Sequence, residues 1–395
     1  MIGNLLWVVS GLTLPTVWLV AHFGAMVHSP EWTAVLSGAG IFGAAFLLSW
    51  ATEVAQLDIP RALALSFLAL VAVFPEYAVD VYFAWRAGQD PAYTAYATAN
   101  MTGSNRLLIG VGWAVPVVAY ALRFGKREVI LPREQAVEVN YLALATLYSF
   151  VIPLKGTLAL YDTVILLAMF GLYTRAAAKT HHEEPELEGP AEMIASVGTA
   201  GRRAAVIAIF AFAGTVIFTA AEPFAESLIA TGKSFGVDEF LLVQWLAPLA
   251  SESPEFIVAL LFALKGAAAA GVGTMISSKV NQWTLLVGAL PAAFALSGGH
   301  LGPMELDVRQ REEILLTSAQ SLFALVVIAN FELTLGEALL LFTLFVPQFF
   351  FTHAAGRYIE AGVYLGLCVA WVVFSPSARA SVVQLLPGLP RRQRR

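Results

Sequence analysis

The stretch Ser251-Glu252-Ser253-Pro254-Glu255-Phe256 decides the fold, because it places two carboxylates inside an otherwise apolar span. The stretch Phe74-Pro75-Glu76-Tyr77-Ala78-Val79-Asp80, in the first half of the chain, carries the same Pro-Glu pair. Hydropathy assigns both glutamates to the membrane interior, where an ionisable side chain is costly and usually functional. The two stretches therefore predict the two halves of one ion site.

Composition indicates a membrane protein. Hydrophobic residues make up 58% of the chain and charged residues only 13%, with a mean hydropathy of +0.73, which is more apolar than a typical soluble domain. Apolar runs near ~20 residues, the length of helix that crosses the hydrocarbon layer, recur along the whole chain. The sequence therefore predicts an all-α polytopic membrane protein that has the lipid bilayer as a partner.

Several functional classes are excluded. Cys368 is the only cysteine, so the chain has neither a disulfide framework nor a cysteine-based metal site. No basic face with interleaved aromatic residues predicts nucleic-acid binding. No phosphate-binding loop or catalytic triad predicts an ATP-driven pump or a hydrolase. We therefore expect a membrane transporter with no permanently bound cofactor, and not an enzyme.

About twelve apolar spans follow one another along the chain. The spans that carry the Pro-Glu pairs are long and interrupted, as are the spans after them, where Gly103-Ser104-Asn105 and Ser277-Ser278 break the apolar pattern. Broken helices at membrane depth are tolerated where they line a cavity inside the protein. The predicted spans are residues 2–23, 34–57, 60–86, 93–122, 137–153, 157–178, 203–230, 237–264, 268–297, 311–330, 334–353 and 357–375.

Basic residues in the loops predict the orientation. If both termini are cytoplasmic, most loop Lys and Arg residues fall inside, together with the terminal Arg391-Arg392-Gln393-Arg394-Arg395. This asymmetry is what the positive-inside rule predicts, and it favours a plasma (inner) membrane location with both termini in the cytoplasm. The basic loop residues left outside are Arg86, Lys155, Lys233, Arg309, Arg311 and Arg357.

The two halves of the chain repeat each other at an offset of about 174 to 179 residues. Internal repeats of this kind mark many secondary transporters. Because an odd number of spans separates each element from its counterpart, the second half is inverted relative to the first, with binding predicted near the membrane midplane. The matching pairs are Pro75-Glu76 with Pro254-Glu255, Gly103-Ser104-Asn105 with Ser277-Ser278-Lys279, Arg133-Glu134-Gln135 with Arg311-Glu312-Glu313, and Asp162 with Glu337.

At these residues the sequence resembles the sodium/calcium exchanger superfamily. The hallmark of that family is a pair of inverted α-repeats, each reading roughly T/S-S-x-P-E and then G-N-x-x-G-S-N. The first repeat here reads Ala72-Val73-Phe74-Pro75-Glu76 and Ala99-Asn100-Met101-Thr102-Gly103-Ser104-Asn105. The second reads Ser251-Glu252-Ser253-Pro254-Glu255 and Gly273-Thr274-Met275-Ile276-Ser277-Ser278-Lys279.

The resemblance implies a ten-helix core with one helix added at each end. The His181-His182-Glu183-Glu184 stretch falls in the connection between the halves and is expected to be solvated. The implied divisions are an extra N-terminal helix and loop at 1–33, the first exchanger repeat at 34–178, an acidic cytoplasmic connecting loop at 179–202, the second repeat at 203–353, and an extra C-terminal helix with a basic tail at 354–395.

The resemblance also implies a binding site. Glu76 and Glu255 would be the paired carboxylates that ligate a central metal cation, with Asn105 and residue 279 beside them and main-chain carbonyls completing the shell. Oxygen ligands of this kind suit hard cations such as Ca2+ and Na+. The full candidate set is Glu76, Asp80, Asn100, Ser104, Asn105, Ser251, Glu252, Glu255, Ser278 and Lys279.

The carboxylates come in closely spaced pairs. Glu252 and Glu255 are three residues apart and Glu76 and Asp80 are four apart, so each pair lies along one helix face. Two buried carboxylates so close together are difficult to ionise at the same time without a cation. The spacing therefore favours proton sharing or cation bridging.

Departures from the family pattern bear on the ion. Ala72 and Val73 replace hydroxyls that usually help to coordinate sodium, and Arg106 adds a basic group after Asn105. Lys279 stands where the family has an acid or an amide, and an ammonium cannot ligate a metal. Three interpretations of Lys279 stay open: a permanent internal counter-ion that replaces a co-ion, a titrating group in a proton-coupled cycle, or the mark of a copy that no longer transports.

The function expected from the resemblance is secondary active antiport of Ca2+ or a related cation against Na+ or H+. The first alternative is proton-coupled exchange of a monovalent or another divalent cation, with Lys279 in place of a co-ion. The second alternative is a non-transporting membrane scaffold or sensor, its site locked by a bridge from Lys279 to Glu76 and Glu255. Inorganic cations are the expected small partners, and no nucleic acid is.

Overall fold

The protein is built almost entirely of α-helices. The computed structural model describes residues 2–58, 74–180, 187, 189–350 and 353–374. In the first half of the chain the helices are α1 (Ile2–Phe23), α2 (Pro30–Ala55), α3 (Phe74–Gln89), α4 (Tyr93–Leu107), α5 (Ala114–Phe124), α6 (Ala136–Ser149), α7 (Val151–Lys155) and α8 (Leu160–Thr180). In the second half they are α9 (Pro190–Ala195), α10 (Thr199–Phe235), α11 (Glu239–Leu264), α12 (Ala268–Asn281), α13 (Val287–Gly298), α14 (Val308–Ile328), α15 (Leu335–Phe345) and α16 (Ala354–Phe374).

The length and composition of these helices suit a bilayer. Among the described residues, eight helices are long and apolar enough to cross a membrane. Two further apolar helical segments, Trp7–Phe23 and Leu335–Phe349, are shorter. The expectation of an all-α polytopic membrane protein is confirmed. The number of spans stays a prediction, and the first part of the third span, residues 60–73, lies outside the described residues.

The helix breaks predicted at Gly103-Ser104-Asn105 and Ser277-Ser278 do not occur at those residues. α4 continues to Leu107 and α12 to Asn281, and each passes directly into a π-helix, π1 (Leu108–Gly112) or π2 (Gln282–Leu286). The Asn105 Nδ2 group donates to the Met101 carbonyl at 2.8 Å, a bond to the preceding turn that leaves the α-helix intact. The irregular turn therefore follows the motif, and π-turns are frequent at functional sites.

α11 is also continuous, although the sequence predicts an interruption in this span. Pro248 and Pro254 lie inside the helix. A proline removes one N–H donor and crowds the preceding turn, which bends a helix without necessarily ending it. The carbonyls four residues earlier, of Gln244 and Ala250, therefore lose their usual helical donor. α11 therefore lacks two regular main-chain hydrogen bonds, one on each side of Ser251.

Two short antiparallel strand pairs each join a strand of one half of the chain to a strand of the other half. β1 (Glu128–Ile130) pairs with β4 (Glu332–Thr334), and β2 (Thr157–Leu158) pairs with β3 (Met304–Glu305). The first strand of each half thus pairs with the second strand of the other half, as two inverted repeats require. π1 and π2 begin at residues 108 and 282, an offset of 174 that agrees with the offset of the sequence motifs.

Asp162 and Glu337 each accept a hydrogen bond from a main-chain N–H group at the start of a helix, at equivalent positions of the two halves. The Asp162 carboxylate accepts from the Ala159 N–H at 2.7 Å, and the Glu337 carboxylate accepts from the Thr334 N–H at 2.8 Å. Each bond satisfies an N–H group near a helix N-terminus, which would otherwise lack a partner. Equivalent positions in the two repeats therefore keep equivalent contacts.

Contacts divide the chain into two compact units. Unit 1 comprises Met1–Asn100, Thr174–Glu255 and Leu296–Gly299. Within it, α2 packs along α10 and against α1. At Gly38 a Cβ would lie 2.8 Å from the Phe224 ring, so glycine permits the close approach of α2 and α10. Beyond the end of α2, the Asp58 carboxylate accepts two hydrogen bonds from Arg202 and one from Arg203 at 2.8–2.9 Å.

Unit 2 comprises Met101–Tyr173, Phe256–Ala295 and His300–Arg395. In this unit α14 packs against α6, α7 and α16, and α15 packs against α5 and π1. The contact between π1 and α15 is tight, because a Cβ on Gly110 would lie 2.2 Å from the Phe345 ring.

Candidate functional site

The first acidic group of the candidate site lies in unit 1. Glu76 is in the first turn of α3, Asp80 follows one turn later, and both side chains are buried. The Asp80 carboxylate lies beside the side chain of Asn100, which is also buried on α4. The structure therefore brings two of the predicted site residues together. Ala72 and Val73, the positions of the missing hydroxyls, lie outside the described residues.

The second acidic group lies on α11, also in unit 1. Ser251 and Glu252 are buried, and Glu255 is half-buried. The Ser251 hydroxyl donates to the Ala247 carbonyl at 3.2 Å, so its own oxygen remains an acceptor on a helix that contains two prolines. Within this group Glu252 is the more deeply buried carboxylate. The pairing of Glu76 with Glu255 around one cation stays a prediction.

Lys279 and Asn105 meet in unit 2. The Lys279 Nζ donates to the Asn105 main-chain oxygen at 2.9 Å and to its Oδ1 at 2.8 Å. It also lies 4.5 Å from the centroid of the Trp283 ring, a cation–π distance. Both Lys279 and Asn105 have no exposed surface. The Asn105 amide orientation is fixed, because its Nδ2 donates to the Met101 carbonyl.

This contact bears on position 279, whose three interpretations stay predictions. The resemblance assigns Asn105 to the shell of a bound cation, and its two oxygens here accept hydrogen bonds from an ammonium. The ammonium carries the single positive charge of a monovalent cation, but it is tethered to the chain. The Asn105 oxygens, which the resemblance assigns to a cation, are thus both engaged by the Lys279 side chain.

Ser104 and Ser278 precede Asn105 and Lys279 directly. Both are buried, and neither hydroxyl has a hydrogen-bond partner among the described residues. Buried hydroxyls nearly always find a partner in native proteins, so a buried one without a protein partner calls for water or a ligand. The two serines are thus the predicted site residues that retain free oxygens in unit 2.

Arg106 is not a basic group facing an ion. Its guanidinium forms a buried ion pair with Glu313 of α14, with Nη2 2.6 Å from Oε2. Glu312, the neighbouring residue, accepts from Arg357 of α16 at 2.9 and 3.0 Å. The sequence assigns Arg357 to a loop outside the membrane, but the residue lies inside α16, which begins at Ala354, and its side chain is buried against α14. The side of the membrane on which it lies stays a prediction.

Carboxylates alone do not build a metal site here. Within the described ranges, no group of three or more His, Cys, Asp or Glu side chains is arranged to hold a metal ion. Hydroxyl, amide and main-chain oxygens would therefore have to supply part of any cation shell. Hard cations accept such oxygens readily.

Comparison with known proteins identifies the family. The sequence model described as sodium/calcium exchanger protein matches residues 30–178 and 205–352. The chain belongs to this family. This exchanger is similar to the crystal structure of the H+/Ca2+ exchanger CAX, with a TM-score of 0.92 and 40% identity over 97% of this chain and 96% of CAX. A comparison with curated protein sequences gives no significant match.

Two more distant structures share the fold of this exchanger. The Ca2+/H+ antiporter protein YfkE superposes with a TM-score of 0.61 at 14% identity, over 92% of this chain and 99% of YfkE. The sodium-calcium exchanger NCX_Mj superposes with a TM-score of 0.53 at 14% identity, over 86% of this chain and 98% of NCX_Mj. The resemblance to the cation/Ca2+ antiporter superfamily is confirmed, and the protein is a membrane exchanger, not an enzyme.

Proposed function

We propose that this exchanger moves Ca2+ or a related divalent cation in one direction and protons in the other. The observation that carries the proposal is the position of the Lys279 ammonium on the two Asn105 oxygens. The 40% identity to the H+/Ca2+ exchanger CAX over nearly the whole chain supports the same choice of coupling ion.

Two sources of oxygen ligands that coupling to Na+ would use are engaged or missing in this chain. The Asn105 oxygens already accept from an ammonium, which excludes a second cation from the same place by charge and by volume. In the first repeat, Ala72 and Val73 have no hydroxyl to contribute. Protons need no such shell, since a carboxylate binds one directly.

The carboxylates supply the proton carriers. Glu76 and Glu255 would bind the divalent cation when ionised and release it when protonated, and Asp80 and Glu252 lie one turn away on the same helices. Neighbouring carboxylates titrate as coupled groups, so cation binding would displace protons from the whole set. Ser104, Ser251 and Ser278 would add oxygens to the shell.

Lys279 sets the charge balance of the cycle. One fixed positive charge in the site lowers the affinity for a divalent cation, so we expect weaker Ca2+ binding than in a relative with an acid or an amide at this position. It also removes the need for a co-transported monovalent cation. Exchange would take place across the plasma (inner) membrane with both termini in the cytoplasm, as the positive-inside rule favours.

The proposal is tested by uptake of radioactive Ca2+ into proteoliposomes that contain the purified protein. We expect uptake driven by a pH gradient and none driven by a Na+ gradient at constant pH. The variants Glu76→Gln and Glu255→Gln should lower uptake to background, whereas Glu305→Gln, which changes an exposed carboxylate, should not. Uptake that follows the Na+ gradient would refute the choice of coupling ion.

One observation also favours a second candidate. An ammonium bound to the Asn105 oxygens would equally hold the site closed in a non-transporting scaffold or sensor. The same proteoliposomes separate the two functions, because a scaffold gives no Ca2+ uptake under any gradient.

A further inference from the structure

A buried chain of charged residues links α16 to the site. The Arg357 Nε and Nη2 lie 3.0 and 2.9 Å from Glu312 Oε2, and the Arg357 Nη1 lies 3.6 Å from Glu313 Oε1. The other oxygen of Glu313 pairs with Arg106 at 2.6 Å. All four residues are at most 6% exposed. Because Arg106 follows Asn105 on α4, this series of ion pairs ends one residue from the amide that holds Lys279.

A second chain of hydrogen bonds runs from α16 to the same segment. The Gln348 Nε2 lies 3.2 Å from the Tyr364 hydroxyl and 3.3 Å from Gln320 Oε1. The Gln320 Nε2 in turn donates to the Arg106 main-chain oxygen at 3.2 Å. The side chain and the main chain of Arg106 are thus each connected to α16 by a separate route.

α16 lies beyond the residues that the family model matches. The family match ends at residue 352, and α16 begins at Ala354. A helix that only filled lipid space would need no buried guanidinium, because burying a charge is costly unless the charge is paired and hydrogen-bonded. Arg357 therefore calls for a role connected with its partners.

We infer that Arg357 is a positioning residue of the exchange site, which acts through Glu313 and Arg106 to hold Asn105 against Lys279. The inference rests on the proposed function, because it takes Asn105 and Lys279 as parts of the site. Arg357 touches neither residue. It fixes Glu313, Glu313 fixes the Arg106 guanidinium, and the last turn of α4 then keeps both Asn105 oxygens directed at the ammonium.

The test uses Arg357→Met, which keeps an unbranched side chain and removes the charged guanidinium. We expect the Ca2+ concentration for half-maximal uptake in proteoliposomes to change by roughly 10-fold, the usual effect of losing a residue that orients a ligand. The maximal rate should change less. The neighbouring variant Tyr358→Leu, on an exposed face of α16, is the matched control and should leave both values unchanged.

A spectroscopic readout follows the site without transport. The protein has nine Trp residues, and labelling with 5-fluorotryptophan gives each a fluorine NMR signal. The signal of Trp283, assigned by its loss in Trp283→Phe, reports the ammonium above that ring. The chemical shift of this signal should change in Arg357→Met and remain the same in Tyr358→Leu.

The double variant Arg357→Met/Glu312→Leu separates positioning from stability. Replacing a buried ion pair by apolar residues of similar size is often neutral for stability, so the melting temperature should recover toward the wild-type value. The half-maximal Ca2+ concentration and the Trp283 signal should remain shifted, because Glu313 still lacks Arg357. Recovery of all three values together would mean a merely structural role and would overturn the inference.

The remaining outcomes are also decisive. If Arg357→Met does not fold, Arg357→Lys keeps a charge that reaches only one carboxylate, and it should give a smaller shift in the same direction. An unmoved Trp283 signal in a folded charge variant overturns the inference. Absence of Ca2+ uptake by the wild type refutes the proposed function instead, and the Trp283 signal then still decides on Arg357.

Discussion

Replacing Lys279 by Asn is expected to create a Na+ site. In the wild type the Lys279 Nζ donates hydrogen bonds to the Asn105 main-chain oxygen at 2.9 Å and to the Asn105 Oδ1 at 2.8 Å. The substitution removes the ammonium and leaves those two oxygens beside a second amide. Main-chain and amide oxygens are ligands that hard cations accept. A mobile cation should therefore take the place that the tethered one has left.

The size of the effect follows from mass action. A cation that binds only the folded protein at about 100 times its Kd stabilises it by about 2.7 kcal/mol. Unfolding entropy of roughly 2.1 cal/mol/K per residue gives about 0.8 kcal/mol/K for a chain of 395 residues. With a Kd of about 1 mM, Na+ at about 100 mM should therefore raise the Tm of the variant by about 3 °C.

The assay is thermal unfolding of the detergent-purified protein in NaCl and in choline chloride of equal ionic strength. The difference in Tm between the two salts is the readout, because the variant also loses two charge-assisted hydrogen bonds and its Tm alone mixes several effects. The wild type and Lys233→Asn, which removes an exposed ammonium, should show no difference. A Na+-specific rise of equal size in the wild type, or none in Lys279→Asn, would refute the argument.

Two further predictions concern the packing and the pH dependence of the fold. Gly110→Ala should lower the free energy of unfolding by about 1–3 kcal/mol, since its Cβ would lie 2.2 Å from the Phe345 ring, whereas Gly214→Ala, with open space around it, should stabilise its helix by up to about 1 kcal/mol. Equal changes in the free energy of chemical unfolding for the two variants would contradict this prediction. The Arg202 guanidinium lowers the pKa of Asp58 from 3.8 to about 2, so the ion pair should stabilise the fold above pH 3.8 and lose its effect as pH falls through 2. Asp58→Asn should accordingly lower Tm at pH 7 but not near pH 2, and a constant difference would exclude the ion pair as its cause.

The class of the fold could be predicted from the sequence because it rests on local signals. Long apolar runs predict membrane helices, and matched motifs at a fixed offset predict the inverted repeat. The sequence predicts an irregular turn in each repeat, but it places that turn too early, at Gly103-Ser104-Asn105 and Ser277-Ser278. The reason is that Asn105 bonds back to Met101 within the helix, and the wide turns begin at Leu108 and Gln282.

The ion pairs of unit 2 could not be predicted in the same way. In a membrane helix both the lipid-facing and the protein-facing sides are apolar, so periodicity does not show which face is buried. Arg357 near a span end has the same local sequence signal whether it faces water or, as here, Glu312 on another helix. Pairing across helices depends on their rotation, which only the tertiary structure provides. The link from α16 to Arg106 was therefore missed.

The contact between Asn105 and Lys279 explains why these two positions differ. Each lies three residues before a π-helix, and their separation of 174 residues equals that of the two π-helices. They are thus equivalent positions of the repeat, and equivalent positions touch each other only beside the axis that relates them. Two lysines there would repel each other, and two amides would bring no positive charge of their own. One amide and one ammonium match donor to acceptor and bring a single charge, so a chain can replace a cation by a side chain at this point only by giving up the symmetry of its repeats.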